Sequence, residues 1–272
     1  MSRNQEALID IIAAIKLIAQ YTEGVTPAAL AANIKNKTPI HFQCPPQPKP
    51  FNITLDSPAY PPGLKTCTAF KTPPTLTAIG NLNLLKTPTI ALFCSIKCPG
   101  DLILKTYDLA QALRDAKVLI ISGFHTPIEQ DCLKILLRGT QPVIYCPARS
   151  IHNMRLSPEQ KQATGEDRLL LISPFNTSYS RVTAALAEKR NEMIGAIAHT
   201  IFIAYASPNS KTLAFAQRLI AAGKSVVTFD SSINPLLQVQ GMVGSGIDEI
   251  RQRCLDAQIS QTQKATSIDI ER

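Results

Sequence analysis

Tryptophan is absent from the 272 residues, and aromatic side chains make up only 6% of them. A surface built from such a chain has few flat rings on which nucleic-acid bases could stack. Long apolar runs are missing as well. Residues 12–20 and 201–206 are the best candidates, and both fall well short of the roughly 20 residues that span a bilayer. The amino-terminal apolar stretch contains Asp10 and Lys16, and no small-residue cleavage site follows it, so it does not read as a secretory signal. These absences predict a soluble cytoplasmic protein with no membrane partner. The common nucleotide fingerprints are also lacking: no GxGxxG follows a strand, and no GxxxxGK[ST] occurs. Val243-Gly244-Ser245-Gly246 has two glycines and reads as a turn that opens a helix.

Seven cysteines are present, but Cys94 and Cys98 form a CxxxC with no second pair or nearby histidine to complete four metal ligands. They read as reduced thiols, with no metal and no cofactor implied. The four histidines, His41, His125, His152 and His199, belong to no recognisable nucleophile or paired-carboxylate motif. The reading is therefore of a binding protein without catalytic residues.

The charge that is present is uneven. Between Gly24 and Gly100 seven lysines face one acid, Asp56, which gives +6 of the net +8. Such a field attracts a polyanion, although lysines on a solvated face produce the same count. Ten of the twenty prolines fall between Pro39 and Pro74. Proline removes amide donors and fixes φ, so this stretch reads as extended and irregular. The predicted organisation is a short helical module over residues 1–38, a proline-rich linker over 39–75, a core over 76–258 and a polar tail over 259–272.

Within the core, apolar runs rich in β-branched residues occur at 89–94, 117–122, 142–146, 168–172, 201–206 and 225–229. Helix-length segments at 101–116, 127–138, 178–199 and 211–223 separate most of them. Alternation of this kind predicts an α/β, Rossmann-like fold with a mostly parallel sheet covered by helices on both faces. Ligands of such sheets bind at the carboxyl ends of the strands. Three groups of residues lie there: the loop Cys94-Ser95-Ile96-Lys97, the strand end Ser122-Gly123, and the turn running into Ser210 and Lys211. The helix segment carrying Arg190 and Asn191 joins them. Hydroxyls, amides and cations in these places suit a phosphate. Arg181 and Arg190, nine residues apart, would point about 180° away from each other on one helix, so Arg190 and Lys97 are the leading phosphate contacts.

Several segments together resemble the DNA-processing protein A family, DprA or Smf, over residues 57–256. Tyr60-Pro61-Pro62-Gly63-Leu64 and Pro73-Pro74-Thr75-Leu76, continuing to Gly80-Asn81, are similar to its YPxxL…PPxxLxxxGN opening. Residues 89–97 stand at its VAIVGSR strand, Ile121-Ser122-Gly123 at its SGxAxGID, and Arg190-Asn191-Glu192-Met193-Ile194 at its RNRxI. Residues 232–250 resemble its closing segment. The chain departs from the family at four places: Cys94-Ser95-Ile96 replaces GSR, Thr126-Pro127-Ile128-Glu129 replaces GID, Glu192 reverses the second arginine of RNR, and Pro208-Asn209-Ser210 replaces SGS. The resemblance implies a homodimer that binds single-stranded DNA through Ser95, Lys97, Ser122, Gly123, Arg190, Asn191, Ser210 and Lys211. It also implies a role in transformation or repair that hands strands to a RecA-type recombinase. Two other readings compete: a Rossmann-fold nucleotide sensor or hydrolase, and a protein-interaction module that has lost its ligand.

Overall fold

The computed structural model describes residues 48–256 and residue 259. The predicted amino-terminal helices and the polar tail lie outside the described residues. The described part belongs to a unit that begins at Gln47.

Nine strands form one sheet: β1 (Phe51–Ile53), β2 (Leu76–Gly80), β3 (Ile90–Phe93), β4 (Ile120–Ser122), β5 (Val143–Tyr145), β6 (Leu169–Ser173), β7 (Thr200–Ile203), β8 (Ser225–Phe229) and β9 (Val243–Ser245). Their order across the sheet is β1-β2-β6-β5-β4-β3-β7-β8-β9. All pairs from β6 to β9 are parallel, and β2 joins β6 antiparallel. The α/β, Rossmann-like architecture expected from the alternation is present. Among the described residues the sheet is accompanied by α1 (Gly100–Asp115), α2 (Pro127–Leu137), α3 (Pro158–Gly165), α4 (Ala184–Ile197) and α5 (Lys211–Ala221). A closing helical segment, residues 247–256, follows β9.

Alternation along β3 explains the two covered faces. Ile90 and Leu92 pack with Leu109 of α1, Cys132 of α2 and Ile250 of the closing segment. Ala91 and Phe93 point the other way, against Met193 of α4 and Phe215 of α5. A strand buried on both faces cannot alternate apolar with polar, which is why Ile90-Ala91-Leu92-Phe93 reads as one apolar run.

Four details differ from the expectations. The proline-rich segment contains β1, which pairs with β2. Proline blocks ladder donors, but Phe51-Asn52-Ile53 has none and sits at the sheet edge, where a short strand is tolerated. Val243-Gly244-Ser245 is a strand beside β8, not a turn. Helix α3 went unforeseen, although Ser157 and Gln160 form a capping box at its start. Finally, α4 begins at Ala184, so Arg181 lies in the preceding loop and the helical-phase argument against it does not apply.

Strand order fixes where a site can be. The chain steps outward from β3 through β4 and β5 to β6, then returns through α4 to β7 on the other side of β3. The direction of winding reverses between β3 and β7, so the loops leaving these two strands face the crevice used by ligands of open α/β sheets.

Candidate nucleic-acid interface

At the crevice, the loops after β3 and β7 are tied to each other. Ser95 N donates to Tyr205 O at 3.0 Å, Ser207 N donates to Ser95 Oγ at 3.3 Å, and Ser207 Oγ donates to Lys97 O at 3.1 Å. Ser95 is buried by these contacts. The exposed residues of this loop are Ile96 and Lys97.

Beneath the crevice lies a buried ionic group. Glu129 is 4% exposed and closes the capping box of α2. Its Oε1 accepts from Cys94 N at 3.0 Å, and its Oε2 accepts from His125 N at 2.8 Å and Thr126 N at 3.3 Å. Amides from the ends of two strands thus converge on an internal carboxylate. Burial raises its pKa, while the Arg190 charge and the three amides act the other way. Arg190 is 3% exposed, with Nη1 donating to Cys146 O at 3.0 Å and Nε donating to Asn191 Oδ1 at 2.8 Å. Its planar group covers Gly123, whose missing side chain makes the room.

The sequence-predicted contacts therefore divide. Arg190 and Ser122 are inside the protein rather than on a surface. Ser122 Oγ donates to Leu92 O at 2.7 Å and accepts from Phe124 N, bracing the β4 turn. Gly123 lies under the guanidinium and Asn191 holds it. Ser210 caps α5 by accepting from Leu213 N at 3.1 Å. Lys211 is exposed but ion-paired with Glu188, and Glu192, the reversed arginine, pairs with Arg218. Lys97 is exposed and has no ion pair with a described residue. The lysine-rich stretch does not converge either: Lys86 precedes β3 and Lys97 follows it, so they lie at opposite ends of that strand.

What the sequence reading missed is a basic edge. The loops that leave β3, β4, β5, β6 and β7, residues 94–99, 123–126, 146–157, 174–183 and 204–210, contain no aspartate or glutamate. They carry Lys97, Arg149, Arg155 and Arg181, together with His125 and His152. None of these four cations has an ion pair with a described residue. The β5 and β6 loops are joined by Ser173 Oγ donating to Arg149 O at 2.7 Å and Ser150 N donating to Tyr179 O at 2.8 Å. This sets the backbone at Arg149 and Ser150 beside Tyr179, two residues before Arg181, and Tyr179 is 46% exposed and rests edge-on against Phe175. Acid-free loops at strand ends were available as a signal in the sequence, but only strand order shows that they are neighbours.

Residues 51–250 match the family model for DNA recombination-mediator protein A. The chain belongs to that family. Its members with solved structures include the DNA processing protein A of Streptococcus pneumoniae, with a TM-score of 0.60 at 19% identity over 86% of this chain and 84% of the other. The DNA processing protein A of Helicobacter pylori, described for its unique single-stranded DNA binding mode, matches with a TM-score of 0.60 at 18% identity over 76% of this chain and 96% of the other. No curated protein matches this chain. Among the described residues no helix is long and apolar enough to cross a membrane, and no three His, Cys, Asp or Glu side chains are grouped to hold a metal ion.

Proposed function

We propose that this member of the family binds single-stranded DNA along the carboxyl edge of its sheet and acts in DNA processing and recombination as a binding protein, not an enzyme. The observation that carries the reading is the row of acid-free loops holding Lys97, Arg149, Arg155 and Arg181. A row of cations with no ion pair among the described residues suits a phosphate backbone, because each phosphate neutralised releases condensed counterions. Lys211 stands at the far end of the row and would join it by leaving Glu188. Ser95, Ser122, Gly123, Arg190, Asn191 and Ser210 shape the edge from below. Tyr179, on the same pair of joined loops as Arg149 and Arg181, offers a ring to a base. Backbone contact with one stacking platform gives little sequence preference.

A hydrolase would need a free carboxylate at these strand ends. Glu129, the carboxylate that the hydrolase reading would use, has its oxygens already taken by three amides. Membership in a family of recombination mediators supports two finer parts of the proposal: a homodimer in the cytoplasm, and transfer of the bound strand to a RecA-type recombinase. Sedimentation of the purified protein, alone and with a recombinase on single strands, tests both.

The test of the main reading is fluorescence anisotropy with labelled oligo-dT at two salt concentrations, beside duplex DNA and the triple variant Lys97→Ala/Arg149→Ala/Arg181→Ala. Salt-sensitive binding that prefers single strands and is lost in the variant is expected. Absence of binding at low salt by the folded protein would overturn the proposal.

A further inference from the structure

Among the described residues Ile96 is the most exposed large apolar side chain, with 69% of its surface in water. It stands in the loop between β3 and α1, directly before Lys97. The backbone on either side of it is pinned. Ser95 N donates to Tyr205 O, Ser95 Oγ accepts from Ser207 N, and Lys97 O accepts from Ser207 Oγ. Pro99 follows as the cap of α1, and its ring fixes φ there. The loop so held turns Ser95 inward, where it is buried, and Ile96 outward. Isolated apolar side chains are ordinary on protein surfaces, so the neighbours of Ile96 decide how it reads. Two other large apolar residues are exposed in the loops that leave β3 to β7, Tyr179 and Val182. Val182 directly precedes the Thr183 cap of α4, where an apolar residue is a regular part of helix entry. Tyr179 leans on Phe175. Neither account fits Ile96, an aliphatic side chain three residues before the α1 cap.

We propose that Ile96 packs against the face of an unpaired nucleobase while Lys97 beside it takes a neighbouring phosphate, and that this contact makes the edge of the sheet prefer single strands to duplex. The inference rests on the function proposed above and deepens it. An uncharged aliphatic side chain gains nothing from a phosphate, so it rewards only contact with an apolar surface of the strand. On a nucleotide that surface is the face of the base. In a duplex each face is covered by its stacked neighbours, whereas in a single strand the faces are open. Isoleucine is among the side chains used as wedges against base steps. Because it makes no hydrogen bond, the contact separates unpaired from paired bases without choosing among base types. The strand order sets the span. β3 and β6 are three strand spacings apart in the sheet, about 14 Å, so Ile96 and Tyr179 touch different bases of one strand.

The test separates base from phosphate. Fluorescence anisotropy at two salt concentrations compares the full chain, Ile96→Ala and Ile96→Leu on three labelled ligands: oligo-dT, a tract of the same length built of tetrahydrofuran abasic residues, and duplex DNA. The abasic tract keeps the phosphates and lacks the bases. Ile96→Ala is expected to bind oligo-dT about fivefold more weakly, through loss of apolar contact. It should bind the abasic tract and the duplex as the unsubstituted protein does, with the same salt dependence, since no phosphate contact is lost. Ile96→Leu keeps the apolar surface and should stay within about twofold of the unsubstituted protein on all three. The side chain lies outside the core, so both variants keep the melting temperature of the unsubstituted protein. Unchanged oligo-dT binding by Ile96→Ala overturns the inference and leaves the DNA reading standing. So does an equal loss on oligo-dT and on the abasic tract, because that loss comes through the loop and Lys97 rather than through a base. Failure of the unsubstituted protein to bind oligo-dT at low salt overturns the DNA reading and this inference with it.

Discussion

The guanidinium of Arg190 rests on the α-carbon of Gly123, in space that a β-carbon at Gly123 would occupy. The glycine is required by this close approach, since its φ is not in the left-handed region. Gly123→Ala must displace the guanidinium, break its bond to Cys146 O and withdraw the positive charge facing Glu129. A cost of about 3 kcal/mol is expected for such overpacking. Arg190→Ala leaves the buried Cys146 O without its guanidinium donor and costs about 1–3 kcal/mol. The two changes remove the same arrangement, so the double variant is expected to be little worse than Arg190→Ala alone. Urea unfolding of the two single variants and the double variant checks this. Additive losses would mean that the two residues do not act through each other.

Glu129 gives a pH signature. Burial raises its folded-state pKa above the unfolded value. Between those two values the folded protein holds a proton that the unfolded chain has released, so this group's contribution to stability falls as pH rises through the window. Glu129→Gln carries no such proton. The stability difference between Glu129→Gln and the unsubstituted protein should therefore shift in favour of glutamine as pH rises above the ordinary glutamate range, and level off once Glu129 is ionised in the folded state. Thermal melts of both proteins from mildly acidic to neutral pH measure the difference. A shift in the opposite direction would show that Arg190 and the three amides outweigh burial.

The sheet was legible because its strands are buried on both faces, and double burial leaves uninterrupted apolar runs such as Ile90-Ala91-Leu92-Phe93. Strands with another pattern were not. β1 is three residues among prolines, and β9 is Val243-Gly244-Ser245, with little side chain to carry a period. For the site, residue type pointed to the right edge but did not separate surface from support. Arg190 and Ser122 have the chemistry of phosphate ligands, yet their hydrogen bonds end on Cys146 O and Leu92 O. An arginine on an amphipathic helix reads as exposed, and only the packing of α4 over Gly123 shows that it is inside. The reverse holds for Arg149 and Arg181. Each is an isolated loop cation in sequence, and they become a pair only because β5 lies next to β6.

The loop cations, with Lys97 and Arg181 exposed and Arg149 half-buried, should behave unlike the buried Arg190. Lys97→Ala, Arg149→Ala and Arg181→Ala lie outside the core, and each is expected to change stability by no more than about 0.5 kcal/mol. Each should weaken oligo-dT binding and lower the magnitude of the log-affinity against log-salt slope by about 0.7, the value for one phosphate on a single strand. Titrations at four salt concentrations resolve that change. Weaker binding with an unaltered slope would mean that the substituted residue does not neutralise a phosphate.

Tyr179 separates stacking from charge on the same patch. Its backbone oxygen accepts from Ser150 N whatever side chain is present, so the loop survives substitution. Its ring meets Phe175 at an edge, with centroids 5.8 Å apart, and leaves nearly half its surface in water. Tyr179→Ala removes the platform and should cost about 1–2 kcal/mol of single-strand affinity, roughly tenfold. Tyr179→Phe keeps the ring and should bind as the unsubstituted protein does. Because stacking releases no counterions, the salt slope of Tyr179→Ala should match that of the unsubstituted protein, in contrast to Arg149→Ala and Arg181→Ala. If Tyr179→Ala lowers the slope, the ring acts by holding the neighbouring arginines in place. If Tyr179→Phe weakens binding as much as Tyr179→Ala does, the hydroxyl is the contact and no base lies on the ring.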